Sequence, residues 1–251
     1  MVKIEVQGVT FEKIKAVIFD KDGTLENSEN FLRNLAQKRS RLIDAKIPGI
    51  GDPLLMAFGV DGDQIDPAGL MAVGSRRENE IAAASYVAET GRGWLESLEI
   101  ARQAFDEADQ YMKDAPPSPL YPGSLEVLES LAKVGLKLAI LSAAPQREVE
   151  AFVKRYQLAD YIQVKIGVDQ GLSKPDPALY LQACKDLDVL ASNTLMVGDA
   201  AVDMDMAKQA GAAGCIGINW KSQKAINLYR ADVMITQLDE IQVLQTTDDS
   251  R

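Results

Sequence analysis

Short apolar runs recur along this chain, three of them leading into a polar residue, and they restrict its fold more than any other feature. Ala16-Val17-Ile18-Phe19 ends at Asp20, Leu136-Lys137-Leu138-Ala139-Ile140-Leu141 ends at Ser142, and Thr194-Leu195-Met196-Val197 ends at Gly198-Asp199. Cys215-Ile216-Gly217-Ile218 and Val233-Met234-Ile235 add two more runs, and Tyr161-Ile162-Gln163-Val164-Lys165-Ile166 is a less regular sixth. Helical spacing fills residues 124–134, 147–156, 177–187 and 203–210. Strand–helix alternation of this kind predicts an α/β fold, a parallel sheet with helices on both faces. Right-handed crossovers carry every strand C-terminus to one edge, and sheets of this type bind ligands there. Asp20, Ser142 and Asp199 are therefore expected to meet.

Residues 27–115 interrupt the alternation with helical pattern and no convincing strand. Trp94, Leu98, Ala101, Phe105, Ala108 and Met112 are spaced by fours and threes, which makes one apolar helix face. Phe31, Leu32, Leu35, Leu42 and Ile43 mark another helix, and Pro116-Pro117-Ser118-Pro119 punctuates the return. The expected organisation is a Rossmann-like core of residues 1–26 and 116–251, with residues 27–115 inserted as a helical cap. Residues 47–53, with two prolines and two glycines, read as a loop of that cap.

Composition removes whole classes of function. There is no histidine, so Ser-His-Asp and Cys-His catalysis and His-ligated zinc are excluded. The 27 basic and 37 acidic side chains leave a net charge of −10, the wrong sign for a nucleic-acid or acidic-membrane surface. Within residues 26–115 the count is 16 acidic against 10 basic, so the cap is a poor polynucleotide surface too. Cys184 and Cys215 are too few for a zinc finger and read as core thiols of a reducing cytosol. Lys3, Glu5, Glu12, Lys13 and Lys15 break any signal-peptide apolar region, and no run reaches the ~20 apolar residues of a membrane span. A cytoplasmic protein is expected, with a frayed polar tail at residues 246–251.

The chemistry concentrates in Asp20-Lys21-Asp22-Gly23-Thr24-Leu25, where two carboxylates stand two residues apart beyond a buried strand. Glycine permits a tight turn and a close ligand approach. Threonine offers a hydroxyl, and the turn's amides are expected to form an anion-binding concavity. An Asx-turn uses the same residues, so the downstream pieces decide. Ser142 precedes Ala143-Ala144-Pro145, Lys174 stands before prolines that open a helix, and Val197-Gly198-Asp199-Ala200-Ala201-Val202-Asp203 adds two carboxylates after another strand.

These four pieces, in this order, resemble the phosphatase branch of the haloacid dehalogenase superfamily, over residues 15–25 and 122–238, and phosphoglycolate phosphatases within it. The resemblance implies Asp20 as the phosphorylated nucleophile and Asp22 as general acid and base, with Lys174 neutralising charge. It also implies Mg²⁺ held by Asp20, Asp199 and the Asp22 backbone carbonyl, with Asp203 as a ligand or a support. Ser142 and Thr24 are expected to bind the phosphate. Asp22 argues against dehalogenation, which needs no acid for its leaving group. Two positions depart from the pattern: Lys21 stands where some relatives carry a bulky apolar residue, and Ala200 where a small hydroxyl residue is common.

Substrate choice is expected from the cap, where Arg76 or Arg77 is placed to receive a second anionic group of a small phosphorylated metabolite. The competing structural reading is a capping box, because Ser75 and Glu78 have its spacing. Two other functions stay open from sequence: a sugar phosphomutase on the same scaffold, and a non-catalytic regulator. The intact Asp20, Asp22, Lys174 and Asp199 set weighs against the regulator.

Overall fold

In the computed structural model the chain divides into two compact units, Met1–Glu26 with Leu120–Arg251, and Asn27–Pro119. The structure describes residues 2–169, 171–220 and 228–244. The tail at residues 246–251 lies outside them.

The first unit is built on a parallel sheet. Its strands are β3 (Ala16–Phe19), β6 (Lys137–Leu141), β7 (Ile162–Ile166), β8 (Thr194–Gly198), β9 (Gly214–Ile218) and β10 (Val233–Ile235). Their order is β10-β9-β8-β3-β6-β7, and every pairing is parallel. The side-chain period of two sorts each central strand between two cores. Val17, Phe19, Leu138, Ile140, Leu195 and Val197 face one core. Ala16, Ile18, Ala139, Leu141 and Met196 face the other. Helices α6 (Ser124–Lys133) and α7 (Gln146–Arg155) cover the first face through Val127, Leu128, Leu131, Val149, Phe152 and Val153. Helices α8 (Pro177–Asp186) and α9 (Ala201–Gln209) cover the second through Tyr180, Ala183, Cys184, Met204 and Ala207. Burial on both faces is why these strands are continuous apolar runs.

The chain runs outward from β3 to β6 and β7, then returns to the other side of β3 with β8. The strand order reverses at β3, which places the crevice of a doubly wound sheet at its C-terminal end.

Sequence reading missed a second sheet. Strands β1 (Val2–Val6) and β2 (Val9–Ile14) form a hairpin, and β11 (Gln242–Leu244) pairs with β1. Gln7 and Gly8, at φ 49° and 79°, make the two-residue turn, the pattern of a type I′ hairpin. Ile4, Val6, Phe11 and Ile14 pack into the first core.

The second unit contains α1 (Glu29–Lys46), α2 (Gly51–Phe58), α3 (Leu70–Val73), α4 (Arg76–Glu89) and α5 (Trp94–Met112). It also holds a small antiparallel pair, β4 (Val60–Asp61) with β5 (Gln64–Ile65), which corrects the expectation of no strand here. The expected loop at residues 47–53 is half helix. The Asp44 carboxylate accepts from the amides of Gly49 and Gly51 and starts α2 there. The α5 stripe buries Ala101, Phe105 and Ala108, but Trp94 at its first turn is 46% exposed.

Candidate active site

Four loops of the first unit bring the predicted polar residues together. Asp20 follows β3, and its amide donates to the Val197 carbonyl of β8, so the ladder runs one residue past the strand. Asp199 follows β8. Ser142 follows β6, with its amide donating to Ile166 of β7. Lys174 comes from the loop before α8, whose start is fixed by Pro177 at its first position and by Asp176 accepting from the Ala178 amide. Asp203 lies in the first turn of α9 and accepts from the Ala200 amide at 3.2 Å.

Lys174 is the hub. Its Nζ lies 2.6 Å from Asp20 Oδ1 and 2.6 Å from Asp203 Oδ1, all three residues being buried. One oxygen from each of Asp20, Asp199 and Asp203 falls within 4.8 Å of the others. Burial pushes the Asp20 carboxyl up to about 7 against the pull of Lys174, with Asp203 and Asp22 adding to the rise. Burial, then Asp20 and Asp203, drives Asp199 well above the usual carboxylate range. Burial alone would depress the Lys174 ammonium, but Asp20 and Asp203 outweigh it and hold the lysine charged. Lys174 answers two of these carboxylates, while Asp199 is met by the Thr24 hydroxyl at 3.4 Å. An all-oxygen cluster held at this cost fits a hard divalent cation such as Mg²⁺.

The turn after β3 folds on itself. The Gly23 amide donates to Glu26, and those of Thr24, Leu25 and Glu26 to Lys21. These four amides are consumed internally and are not presented to an anion. Thr24 is fully buried, with its hydroxyl directed at Asp199. Ser142 Oγ lies 3.4 Å from Asp22 Oδ2 and accepts from the Ala144 amide at 3.1 Å.

Three residues that sequence reading did not place in the site support the turn. Lys21 Nζ lies 2.6 Å from Asp22 Oδ1 and 2.8 Å from Glu26 Oε2. Trp220 Nε1 donates to the Gly23 carbonyl at 3.0 Å, and its ring stacks on Tyr121 with centroids 4.2 Å apart. Glu26 carried a weak signal, being an acid five residues after a lysine across a Gly-containing turn. Trp220 carried none.

Arg76 and Arg77 belong to the second unit. Ser75 and Glu78 form the full capping box. Arg76 pairs with Glu80 at 2.8 Å, Asp106 at 2.6 Å and Asp109. Three carboxylates of its own unit thus hold one of the two arginines weighed as readers of a substrate anion. Arg77 is exposed on the first turn of α4.

A family model for haloacid dehalogenase-like hydrolases matches residues 14–211. Phosphoglycolate phosphatase of Rhodospirillum rubrum is 32% identical over 208 residues, covering 78% of this chain and 76% of the relative. Validoxylamine A 7′-phosphate phosphatase of Streptomyces hygroscopicus subsp. limoneus is 27% identical over 230 residues, covering 90% and 95%. The crystal structure of a phosphatase of this family from Thermococcus onnurineus superposes with a TM-score of 0.61 at 23% identity, over 90% of this chain and 95% of that one. The chain belongs to the haloacid dehalogenase-like hydrolases. Within that family it is a phosphatase, a phosphoric monoester hydrolase. No helix among the described residues is long and apolar enough to cross a membrane.

Proposed function

We propose that the chain hydrolyses a small-molecule phosphate monoester in two steps through an aspartyl-phosphate on Asp20, with Mg²⁺ as cofactor and phosphoglycolate as the first substrate to test. The observation that carries this reading is the Asp20–Lys174–Asp203 contact, set beside Asp22 at the strand-reversal point of the sheet. The relative named for phosphoglycolate, at 32% identity, supports the substrate.

In the first step an Asp20 oxygen bonds to phosphorus while the bond from phosphorus to the leaving oxygen breaks. The Asp22 carboxyl gives its proton to that oxygen. In the second step Asp22, now a carboxylate, takes a proton from water as the water oxygen attacks phosphorus. Inorganic phosphate leaves and Asp20 is restored. Lys174 stays charged throughout and offsets the negative charge gathered on Asp20 and the phosphoryl oxygens. Asp20, Asp199 and the Asp22 carbonyl would hold Mg²⁺, supported by Asp203. When bound, the cation supplies charge neutralisation between the carboxylates and the incoming phosphate. Ser142, beside Asp22 Oδ2, is placed to turn its hydroxyl toward a phosphate oxygen. The free buried thiols of Cys184 and Cys215 support a reducing, cytoplasmic setting.

The test is a phosphate-release screen over small phosphorylated metabolites, with Mg²⁺ and with a chelator. Mg²⁺-dependent release, led by phosphoglycolate, is expected. Absence of release from every monoester would overturn the reading.

A further inference from the structure

Lys21 is the residue of the first motif for which the two-step chemistry has no use. It continues the parity of β3: Val17 and Phe19 face the first core, and Lys21 points the same way. There its Nζ lies 5.6 Å from the centre of the ring of Phe152, a buried residue of α7. An apolar side chain would suit that position. An ammonium only 5% exposed has to be offset by specific partners, and two are present, Asp22 Oδ1 at 2.6 Å and Glu26 Oε2 at 2.8 Å.

Those partners are arranged unequally around Asp22. Its Oδ1 accepts from an ammonium that has only protons to give, whereas its Oδ2 faces the Ser142 hydroxyl at 3.4 Å. A proton on Oδ1 would point at the Lys21 N–H groups, so the transferable proton belongs on Oδ2. Glu26 holds Lys21 from behind. It lies at the end of the same self-closed turn, where its amide donates to the Lys21 carbonyl at 2.9 Å. The lysine is therefore tethered at both ends.

We propose that Lys21, anchored by Glu26, is a positioning residue that fixes the Asp22 carboxyl so that Oδ2 is the oxygen that gives and takes the catalytic proton. Lys21 touches neither substrate nor the nucleophile in this role; it acts through Asp22. The proposal rests on the assignment of Asp22 as general acid.

Leaving-group dependence provides the test. Phenyl phosphate and p-nitrophenyl phosphate have nearly the same shape, but phenolate leaves poorly without a proton and p-nitrophenolate leaves readily. The value of kcat/KM covers every step up to departure of the leaving group, so it reports the acid. Lys21→Met is expected to lower kcat/KM by about tenfold or more for phenyl phosphate and by less than about threefold for p-nitrophenyl phosphate. A merely structural lysine would lower both alike, and equal losses overturn the proposal.

Lys21→Met leaves Glu26 buried without its cation, so Lys21→Met/Glu26→Gln is measured beside it, with the same selective loss expected. Failure of both variants to fold would make Lys21 a structural counter-ion and overturn the proposal. The parent and Asp20→Asn separate this question from the reading of the site. If the parent releases phosphate from neither ester, or Asp20→Asn remains active, the site assignment fails and the proposal falls with it. If the parent is active, Asp20→Asn is dead and the Lys21 variants lose both esters equally, only the role of Lys21 fails.

Discussion

A Cβ on Gly23 would fall 2.0 Å from Asp199 Oδ2, so the turn after β3 and the carboxylate after β8 fit together only because residue 23 has no side chain. Its φ of +81° adds a second reason, since side-chain-bearing residues seldom adopt it. Gly23→Ala is therefore expected to displace Asp199 as well as strain the turn. The stability loss should be about 1–3 kcal/mol. The half-saturating Mg²⁺ concentration for phosphate release should rise, because Asp199 no longer sits beside Asp20 and Asp203. Thermal unfolding and metal titration of the variant check both. An unchanged metal requirement would separate Asp199 from the cation.

The parallel core was legible because strands buried on both faces are uninterrupted apolar runs, and the acids were legible because each closes such a run. The β1–β2 hairpin was legible in part and passed over: Val2, Ile4 and Val6 alternate with Lys3 and Glu5, the period of a half-buried strand, whereas in β2 the buried Phe11 and Ile14 stand three apart and break that period. Its Gln7-Gly8 turn was a further signal. Strands β4 and β5 have two residues each, too short for any period to show. The Thr24–Asp199 contact was not legible, because the two residues lie 175 positions apart. Lys21 was passed over because its worth depends on strand parity, which aims it at Phe152 and Glu26 rather than at solvent. Pairings of buried charge are settled by tertiary closure and leave little local trace.

Asp20→Asn is expected to abolish turnover and keep the fold. The amide keeps the shape of the carboxyl and removes one negative charge from a cluster that already disfavours it. Lys174 retains Asp203 as a partner. Loss of a covalent nucleophile should cost roughly 10⁴-fold or more in kcat. Circular dichroism confirms the fold, and phosphate release measures the loss. Activity within tenfold of the parent would move the nucleophile elsewhere.

The thiols should be inert in the folded protein. Cys184 and Cys215 are buried, and burial raises both, Cys215 up to about 12 with help from Asp232. The thiolate is the reactive species, so labelling requires opening of the structure. With an aromatic disulfide reagent near neutral pH, native labelling should be at least about 10³-fold slower than in denaturant. Rapid native reaction of either cysteine would show that its core face opens easily.

Arg76 separates the stability of the second unit from substrate selectivity. Its guanidinium holds Glu80 on its own helix and Asp106 and Asp109 on α5, with its side chain 17% exposed. Arg76→Ala takes the guanidinium from Asp106 and leaves Glu80 and Asp109 with their longer pairs, to Arg102 at 3.8 Å and to Arg39 at 3.5 Å. The expected cost is about 1–3 kcal/mol, read as a fall in Tm of about 2–4 °C for each kcal/mol. The ratio of kcat/KM for phosphoglycolate to that for p-nitrophenyl phosphate should stay within about twofold of the parent, because a guanidinium already bound to three carboxylates contributes little to a substrate anion. Arg77→Ala is the control on the same turn. Arg77 is exposed, so its loss should change stability by no more than about 0.5 kcal/mol. If Arg76→Ala lowers the ratio tenfold without lowering Tm, the ion-pair account of this arginine fails and the guanidinium serves the substrate instead.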